Sequence, residues 1–289
     1  MYKFTPIRKT LVWGTEDWVI SGVPGSESVV AEGPEAGKKI TELFPGTFPL
    51  LIKFIDAKRD LSIQVHPGDE LATKRHGCSG KTEMWYVIGA EPGAKLINGL
   101  TQEITPDQYV QLVEGHRITE VLAEHTVAPG DVFFVPAGRI HSIGGGCLLA
   151  EIQQTCDITY RIYDYNRPGL DGKPRQLHTQ EAKDAIDYHV YPEYRIPYAA
   201  KQNAPVELIR CPYFTTTLYD LTSAADGVFQ TVGPPSFLIA IGLSGSGILR
   251  TAQDEMTLRA GEAVLIPAAD GAVTFLPGPD GLRLLTTHC

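Results

Sequence analysis

Residues 130–141 read GDVFFVPAGRIH, and this stretch decides the predicted fold. Four apolar residues, from Val132 to Val135, stand between a glycine–acid pair and a Pro-Ala-Gly turn. A run of this kind, rich in β-branched and aromatic side chains and bounded by turn residues, predicts a short buried strand. A histidine, His141, follows the turn closely.

Runs of the same kind recur along the chain. They are short, they are flanked by turn residues, and they occur at 50–55, 84–88, 237–241 and 263–266. Many short strands with regular turn punctuation favour a sandwich or a barrel. The 29 glycines and 21 prolines among 289 residues exceed average usage, which also indicates numerous turns.

Helical signals cluster between residues 105 and 125. Thr105 can cap a helix, Pro106 suits the first helical position, and Gly115 is a natural end. Further short helices are predicted at 118–123 and 179–186. We interpret these helices as insertions in a β framework, so the predicted fold class is all-β with helical insertions.

The total charge and the cysteines restrict the classes of function. A net charge of −9 argues against broad electrostatic binding to nucleic acid or to an anionic membrane. The five cysteines include no C-x-x-C frame, which predicts free thiols in a reducing cytoplasm. No signal-peptide pattern stands at residues 1–10, and no apolar run is long enough to span a bilayer.

A set of metal-capable side chains follows the strand pattern. Gln64 and His66 are two residues apart on a predicted strand and therefore project to one face. Glu83 enters the next predicted apolar strand, and His141 follows the turn after residues 132–135. Each residue alone is more often structural, but two imidazoles, a carboxylate and an amide oxygen together suit a first-row divalent metal.

The order of these residues resembles the two-part cupin pattern. It runs Gln-x-His-Pro, then Glu at a strand start, then Gly-Asp-x4-Pro-x-Gly-x-x-His, with glutamine in place of the first histidine. Residues 260–269 (AGEAVLIPAA) repeat 129–138 (PGDVFFVPAG), and Ala272 stands where the first copy has His141. The alternative is two unrelated hairpins of similar composition.

The repeat and a linker rich in Tyr and Pro at 187–206 predict two domains. We expect a metal-binding catalytic domain at 1–204, which carries the helical insertion at about 105–125. We expect a second, similar domain at 205–289 that lacks metal ligands.

A second polar cluster lies at residues 157–165. If these residues form one strand, Asp157, Thr159, Arg161 and Tyr163 share a face. Such a face is typical of a polar pocket, and the alternative is an outer strand face with a surface ion pair.

With this cluster, the chain resembles a class I mannose-6-phosphate isomerase (phosphomannose isomerase) of the short bacterial type. The matching stretches are 64–67 (QVHP), 80–86 (GKTEMWY), 136–141 (PAGRIH) and 159–165 (TYRIYDY). The resemblance implies two cupin-like jelly-roll β-barrels, the C-terminal one degenerate. It also implies the interconversion of mannose 6-phosphate and fructose 6-phosphate with one divalent metal per chain, normally Zn²⁺.

The resemblance assigns roles by position in this sequence. It implies Arg161 as the catalytic residue and Lys81 and Asp157 as residues of the substrate site. The metal ligands that it implies are Gln64, His66, Glu83 and His141.

The chemistry needs stabilisation of a cis-enediol or enediolate and a proton carrier between C1 and C2. Arg161 supplies a permanently charged fork, and Asp157 and His66 are the candidate proton carriers. Two alternatives stay open: a non-haem metal cupin oxygenase, and a non-catalytic cupin that binds a sugar phosphate. The expected partner is a small sugar phosphate, with no nucleic acid or membrane, and the oligomeric state does not follow from the sequence.

Overall fold

The computed structural model describes residues 1–44, 46–223, 229–231 and 237–289, and these fall into two compact units. The central unit comprises Arg8–Trp18 and Leu50–Ile196. The terminal unit comprises Met1–Ile7, Val19–Pro49 and Pro197–Cys289. Every predicted site residue lies in the central unit.

The secondary structure consists of many short strands and few helices, as the fold class predicted. The strands in chain order are β1 Lys3–Phe4, β2 Ile7–Leu11, β3 Gly14–Ile20, β4 Val30–Glu32, β5 Leu50–Ala57, β6 Ile63–Val65, β7 Glu83–Ala90, β8 Lys95–Leu100, β9 Leu122–Thr126, β10 Val132–Val135, β11 His141–Ile143, β12 Cys147–Gln154, β13 Tyr160–Tyr163, β14 Val206–Arg210, β15 Thr215–Leu221, β16 Phe229–Thr231, β17 Phe237–Arg250, β18 Glu255–Arg259, β19 Ala263–Pro267 and β20 Val273–His288. The helices are α1 Ile40–Leu43, α2 Asp69–His76, α3 Pro106–Glu114 and α4 Thr179–Ala185, and 3₁₀ helices run over Ile118–Val121 and Ala268–Asp270.

Two sheets build the central unit. Strands in the order β10-β7-β12-β5-β3-β2 form the first, and β13-β6-β11-β8-β9 form the second. Buried side chains of both sheets share one core, among them Trp85 and Leu149 of the first sheet and Leu96 and Ile143 of the second. In the first sheet, β12 runs antiparallel to both β5 and β7. Lys53, Glu151 and Gln153 of these strands are buried and need internal partners.

The helical insertion forms as its capping signals predict. The hydroxyl of Thr105 accepts a hydrogen bond from the Gln108 backbone N–H (3.2 Å), and the Gln108 side chain accepts one from the Thr105 N–H (2.7 Å). This capping box satisfies two backbone donors that the first turn leaves free. Helix α3 then buries Tyr109 and Val113. No helix in the described ranges is long and apolar enough to cross a membrane.

The terminal unit is built around one sheet in the order β14-β15-β20-β17-β18, with β19 paired to β17. Its core includes Leu249, Leu258, Val264 and Phe275, all of them buried. The sequence predicted a second, similar domain over residues 205–289, which form the larger part of this unit.

The N-terminal segments differ from the predicted division of the chain. The sequence placed them in the domain 1–204, whereas Met1–Ile7 and Val19–Pro49 belong to the terminal unit. Tyr2 exchanges two backbone hydrogen bonds with Leu265 (2.8 and 2.9 Å), and Lys3 Nζ lies 2.9 Å from a carboxylate oxygen of Glu262. Nothing local to the first residues encodes a partner more than 250 positions away, so the sequence pattern could not predict this pairing.

Candidate metal centre and active site

Three buried side chains from three strand ends converge in the central unit. His66 follows β6, Glu83 begins β7 and His141 begins β11. One potential ligand atom from each lies within 4.8 Å of the other two, and this is the one such group among the described residues. In the β-ladder, His141 pairs directly with Gln64. The sheet register therefore brings the sequence-predicted ligands together.

Hydrogen bonds fix the tautomers of both histidines. The Nδ1 atoms of His66 and His141 lie 2.8 Å from the backbone oxygens of Ile158 and Arg139. A carbonyl oxygen only accepts, so each Nδ1 carries the proton and each Nε2 keeps its lone pair. The two Nε2 atoms are 3.1 Å apart. Burial lowers the pKa of His66 well below its ordinary value and that of His141 to about 3, so both rings are neutral at pH 7.

Glu83 supplies the carboxylate of the group. Its Oε1 lies 3.5 Å from His141 Nε2, and its Oε2 lies 3.6 Å from His66 Nε2 and 2.8 Å from Lys81 Nζ. Oε1 is buried and has no hydrogen-bond donor among the residues described. Burial raises the pKa of Glu83 to about 7, which Lys81 partly opposes. A buried carboxylate oxygen without a donor is unfavourable, and a bound cation would satisfy it.

Gln64, the fourth ligand that the sequence predicts, lies beside these three residues. The Nε2 atom of Gln64 lies 3.3 Å from the Nε2 atom of His141. The two amide ends have the same shape, and exchanging them turns the oxygen toward the histidine. Two neutral imidazole nitrogens, a carboxylate and an amide oxygen then face one point, and both imidazoles are already oriented by backbone carbonyls. These residues fit a divalent metal ion.

A cavity of about 340 Å³ adjoins this group and includes His141 and Gln64 in its lining. Five Lys and Arg side chains against three carboxylates give the lining an excess of positive charge, although the whole chain is acidic. An anionic small molecule would therefore find local positive charge there. The ionisable side chains in the lining, apart from His141, are Lys9, Glu16, Lys53, Lys81, Glu151, Asp157, Arg161 and Arg175.

Arg161 is held at the cavity wall by its neighbours. It pairs with Gln64 in the ladder between β13 and β6, and its Nη1 donates to the Gln176 carbonyl oxygen (2.9 Å). Its Nε is buried and has no acceptor among the described side chains and backbone. Burial lowers the pKa of the guanidinium, yet it stays far above neutrality. The fork therefore retains a donor for a ligand.

Asp157 stands at the edge of the same cavity. Half of its side chain is exposed, and its Oδ2 lies 3.8 Å from Lys9 Nζ. The predicted strand over 157–165 is wrong at its ends, because β13 covers only Tyr160–Tyr163. Gln153 Nε2 donates to the Gln154 and Cys156 carbonyl oxygens (2.9 and 2.7 Å), which turns the chain before the strand. At the other end, positive φ angles of 55° and 53° at residues 165 and 166 end it.

A buried ion pair beside the metal ligands was missed by the sequence reasoning. Lys53 Nζ lies 3.0 Å from Glu151 Oε1, and Trp85 Nε1 donates to Glu151 Oε2 (2.9 Å). Burial alone would raise the pKa of Glu151, but Lys53, Lys81 and the Trp85 N–H together outweigh it and lower that pKa to about 2. The available signal was a charged residue within an apolar run of each strand, Lys53 in LLIKFIDA and Glu151 in CLLAEIQQ, because buried charges need partners.

A second tryptophan extends this network. Trp18 Nε1 donates to Glu16 Oε2 (2.6 Å), and that oxygen lies 3.8 Å from Lys53 Nζ. Lys9 Nζ stands 3.2 Å from the centre of the Trp18 ring, a cation–π contact. Charged side chains and indole rings thus contact one another in turn along this side of the cavity.

Known proteins share this architecture. The family model of the type I phosphomannose isomerase catalytic domain matches residues 16–112. Mannose-6-phosphate isomerase ManA of Bacillus subtilis is 32% identical, over 91% of this chain and 92% of that protein. A mannose-6-phosphate isomerase of Streptococcus mutans is 31% identical, over 94% of this chain and 88% of that protein.

The fold agrees with these relationships. The crystal structure of the mannose 6-phosphate isomerase from Bacillus subtilis matches with a TM-score of 0.89 and 30% identity, over 100% of this chain and 99% of that one. This match confirms the predicted all-β fold with helical insertions. Identity above 30% over nine tenths of both chains confirms the family that the motifs indicated: the chain belongs to the type I phosphomannose isomerases, which are metal-dependent enzymes.

Proposed function

We propose that this chain interconverts mannose 6-phosphate and fructose 6-phosphate through a cis-enediol or enediolate. The observation that carries the proposal is the buried group of His66, Glu83 and His141 beside a cavity whose charged lining residues are five cations and three carboxylates. A sugar phosphate needs positive charge for its phosphate and a strong electrophile at its carbonyl. The cavity and the adjoining group offer both within one unit of the chain.

The metal in this proposal is held by Gln64, His66, Glu83 and His141. Two nitrogen and two oxygen donors are typical of zinc, which we propose as the resident ion. When bound, a divalent ion with one carboxylate ligand keeps about one net positive charge and acts as a Lewis acid toward substrate oxygen.

Arg161 and Lys81 provide the fixed cations of the mechanism. Arg161 presents a planar fork with a free Nε, suited to a developing enediolate oxygen or to phosphate. Lys81 Nζ lies 2.8 Å from Glu83 Oε2 and 3.0 Å from His66 Nε2, so it adds positive charge where the reacting oxygens would stand. Because both cations are positioned before the reaction, they stabilise the transition state without reorganisation.

Proton transfer between C1 and C2 falls to a carboxylate in this proposal. His66, with Nδ1 committed to a backbone carbonyl and Nε2 to the metal, has no lone pair left for the substrate. Glu151 is a weak base, because its pKa is about 2. Asp157 at the cavity edge is therefore the candidate that binds substrate and carries the proton.

The location of the enzyme is also a proposal. All five cysteines of the chain are free thiols, which is the usual state in a reducing compartment. We therefore place the enzyme and its sugar-phosphate substrate in the cytoplasm.

Isomerisation in deuterium oxide tests the proposal against its alternatives. Incubation with mannose 6-phosphate should form fructose 6-phosphate and introduce deuterium at C1 or C2, both visible by nuclear magnetic resonance, without uptake of oxygen. Saturable binding with no exchange would identify a non-catalytic sugar-phosphate binder. Oxygen consumption coupled to substrate loss would identify an oxygenase. Either of these results would contradict the proposal.

A further inference from the structure

Two cysteines far apart in sequence meet near the candidate metal centre. The sulfur atoms of Cys78 and Cys156 are 3.8 Å apart. Cys78 is partly exposed, whereas Cys156 is buried. Cys78 precedes Lys81 and Glu83 in the chain, and Cys156 directly precedes Asp157. Neither thiol has a role in the isomerisation described above.

The two chain segments already lie side by side. Ser79 Oγ donates to the Thr155 carbonyl oxygen (3.1 Å), and the Gln154 backbone N–H donates to the Thr82 carbonyl oxygen (3.1 Å). A disulfide bond is about 2 Å long. The sulfurs therefore need to approach by less than about 2 Å, which side-chain rotation and a small loop movement can provide.

The surroundings give the two sulfurs different reactivity. Cys78 can meet a small oxidant because its side chain reaches solvent. Cys156 is shielded, and burial raises the pKa of its thiol to about 11. The difference in exposure matches a pair in which Cys78 meets the oxidant and Cys156, whose sulfur lies 3.8 Å away, resolves the product. The raised pKa of Cys156 lowers its thiolate fraction and does not itself support this assignment.

We propose that Cys78 and Cys156 form a redox-sensitive dithiol that a hydroperoxide converts to a disulfide, with loss of isomerase activity. The Cys78 sulfur attacks the peroxide, the O–O bond breaks, and Cys78 becomes a sulfenic acid while one alcohol or water is released. The Cys156 sulfur then attacks the Cys78 sulfur, an S–S bond forms, and water leaves. The pair loses two electrons and two protons, and the peroxide gains them.

The link to activity runs through the chain after Cys156. The Ile158 N–H donates to Cys156 Sγ (3.5 Å), and the Ile158 carbonyl accepts the hydrogen bond that orients His66 (2.8 Å). Drawing Cys156 toward Cys78 pulls on this connection and displaces an outer partner of a proposed metal ligand. Loss of such a partner typically costs 10- to 100-fold in metal affinity or activity.

The experiment uses the full-length, metal-loaded enzyme with Cys211→Ser and Cys289→Ser, so that Cys78, Cys147 and Cys156 remain. The reduced protein is treated with hydrogen peroxide and quenched with N-ethylmaleimide. Free thiols, cross-linked peptides, bound metal and turnover are then measured. We expect simultaneous loss of two thiols, a peptide joining Cys78 to Cys156, and a roughly tenfold fall in turnover that dithiothreitol reverses.

Two variants in the same background serve as controls. Cys78→Ser should form no cross-link and show no loss of turnover that dithiothreitol reverses. Cys147→Ser, which removes a buried thiol in β12, should behave like the parent. Absence of the cross-link, a cross-link with unchanged turnover, or an equal reversible loss in the Cys78→Ser enzyme would each overturn the proposal. The effect on turnover rests on the proposed function, whereas thiols and cross-linked peptides are counted directly. A failure of the dithiol is therefore distinguishable from a failure of the isomerase proposal, which shows as absent turnover in the reduced parent enzyme.

Discussion

The two copies of the sequence repeat share a turn but differ at the site. In the central unit, Asp131 accepts a hydrogen bond from the Ala128 N–H (2.9 Å), and its own N–H donates to the Ala128 carbonyl. In the terminal unit, Glu262 makes the same two bonds with Arg259 (3.0 Å from the N–H). The same pair of hydrogen bonds therefore closes the turn in both copies.

The ligand position separates the copies. Val135 of the first copy pairs with Glu83, and the matching Ile266 of the second copy pairs with Leu238. A leucine therefore stands in the register position that holds the carboxylate of the central unit. The same turn and strand pairing therefore carry the candidate metal centre in the central unit and apolar packing in the terminal unit. A few side chains account for the difference.

Removing a proposed ligand should have the largest effect. His141→Ala should abolish bound metal and activity together, because it takes away one of four ligands and unbalances the charge at the centre. His288→Ala, in the terminal unit, is the matched control and should retain both. Gln64→Ala should lose less metal, since water can replace a neutral amide oxygen. Elemental analysis with a turnover assay measures this, and stoichiometric metal in the His141→Ala protein would remove that residue from the ligand set.

Breaking the buried ion pair between Lys53 and Glu151 should have the second largest effect, on the free energy of unfolding. Glu151→Gln removes the nearer counter-charge of the buried Lys53 ammonium and leaves only Glu16 at 3.8 Å, which should lower the free energy of unfolding by about 3 kcal/mol. In the terminal unit, Glu255→Gln affects an exposed pair with Arg250 and should cost less than about 1 kcal/mol. Urea denaturation of metal-free proteins compares them, and equal losses would contradict the distinction.

The same pair predicts a pH dependence. The pKa of Glu151 is lowered from 4.5 to about 2 in the folded protein, so its stabilising contribution is complete above the unfolded value and is lost as the pH falls toward about 2. Wild type should therefore lose more stability than Glu151→Gln between about pH 5 and pH 2. Denaturant titration at each pH measures the free energy of unfolding of both proteins. An equal loss of stability in wild type and Glu151→Gln would contradict the ion pair as the cause.

Arg161→Lys should lower kcat by roughly 10²-fold, with metal content near wild type. The lysine keeps the charge but loses the planar fork, which matters where two oxygens are bound at once. Arg283→Lys in β20 of the terminal unit is the control and should leave kcat unchanged. Steady-state kinetics with mannose 6-phosphate decide the role: a higher KM with unchanged kcat would make Arg161 a binding residue rather than a catalytic one.

The shared turn should give the smallest and most similar effects. Asp131→Ala and, in a Lys3→Met background, Glu262→Ala each remove one side-chain acceptor from a backbone N–H, at a cost of about 1 kcal/mol. The background removes the Lys3–Glu262 ion pair from the comparison. Thermal denaturation of both variants tests whether the two copies depend on the turn equally. A large loss in one variant alone would show that the turn has different importance in the two units.

The sequence predicted the elements whose signals are local. Nearby residues predict three of these elements. They are the helix capped by Thr105, the strand that begins at Glu83 and the strand that precedes the turn to His141. Two histidines and a glutamate at these strand ends also meet in space, because the sheet register has a period of two and fixes which face each side chain takes.

The sequence pattern could not predict which distant strands and side chains pair with each other. Lys53 and Glu151 are nearly a hundred residues apart, and only the alignment of β5 with β12 makes them neighbours. The pairing of Tyr2 with Leu265 is hidden for the same reason. The strand over 157–165 was predicted too long, because the Gln153 side chain binds backbone carbonyls that a strand would otherwise use.

A titration of metal-free enzyme with zinc tests the central claim most directly. Turnover of mannose 6-phosphate, followed by a coupled assay, should be absent after chelation, rise linearly with added zinc and level off at one ion per chain. The His141→Ala enzyme should show no such rise. Full turnover in the chelated, metal-free protein would contradict the account.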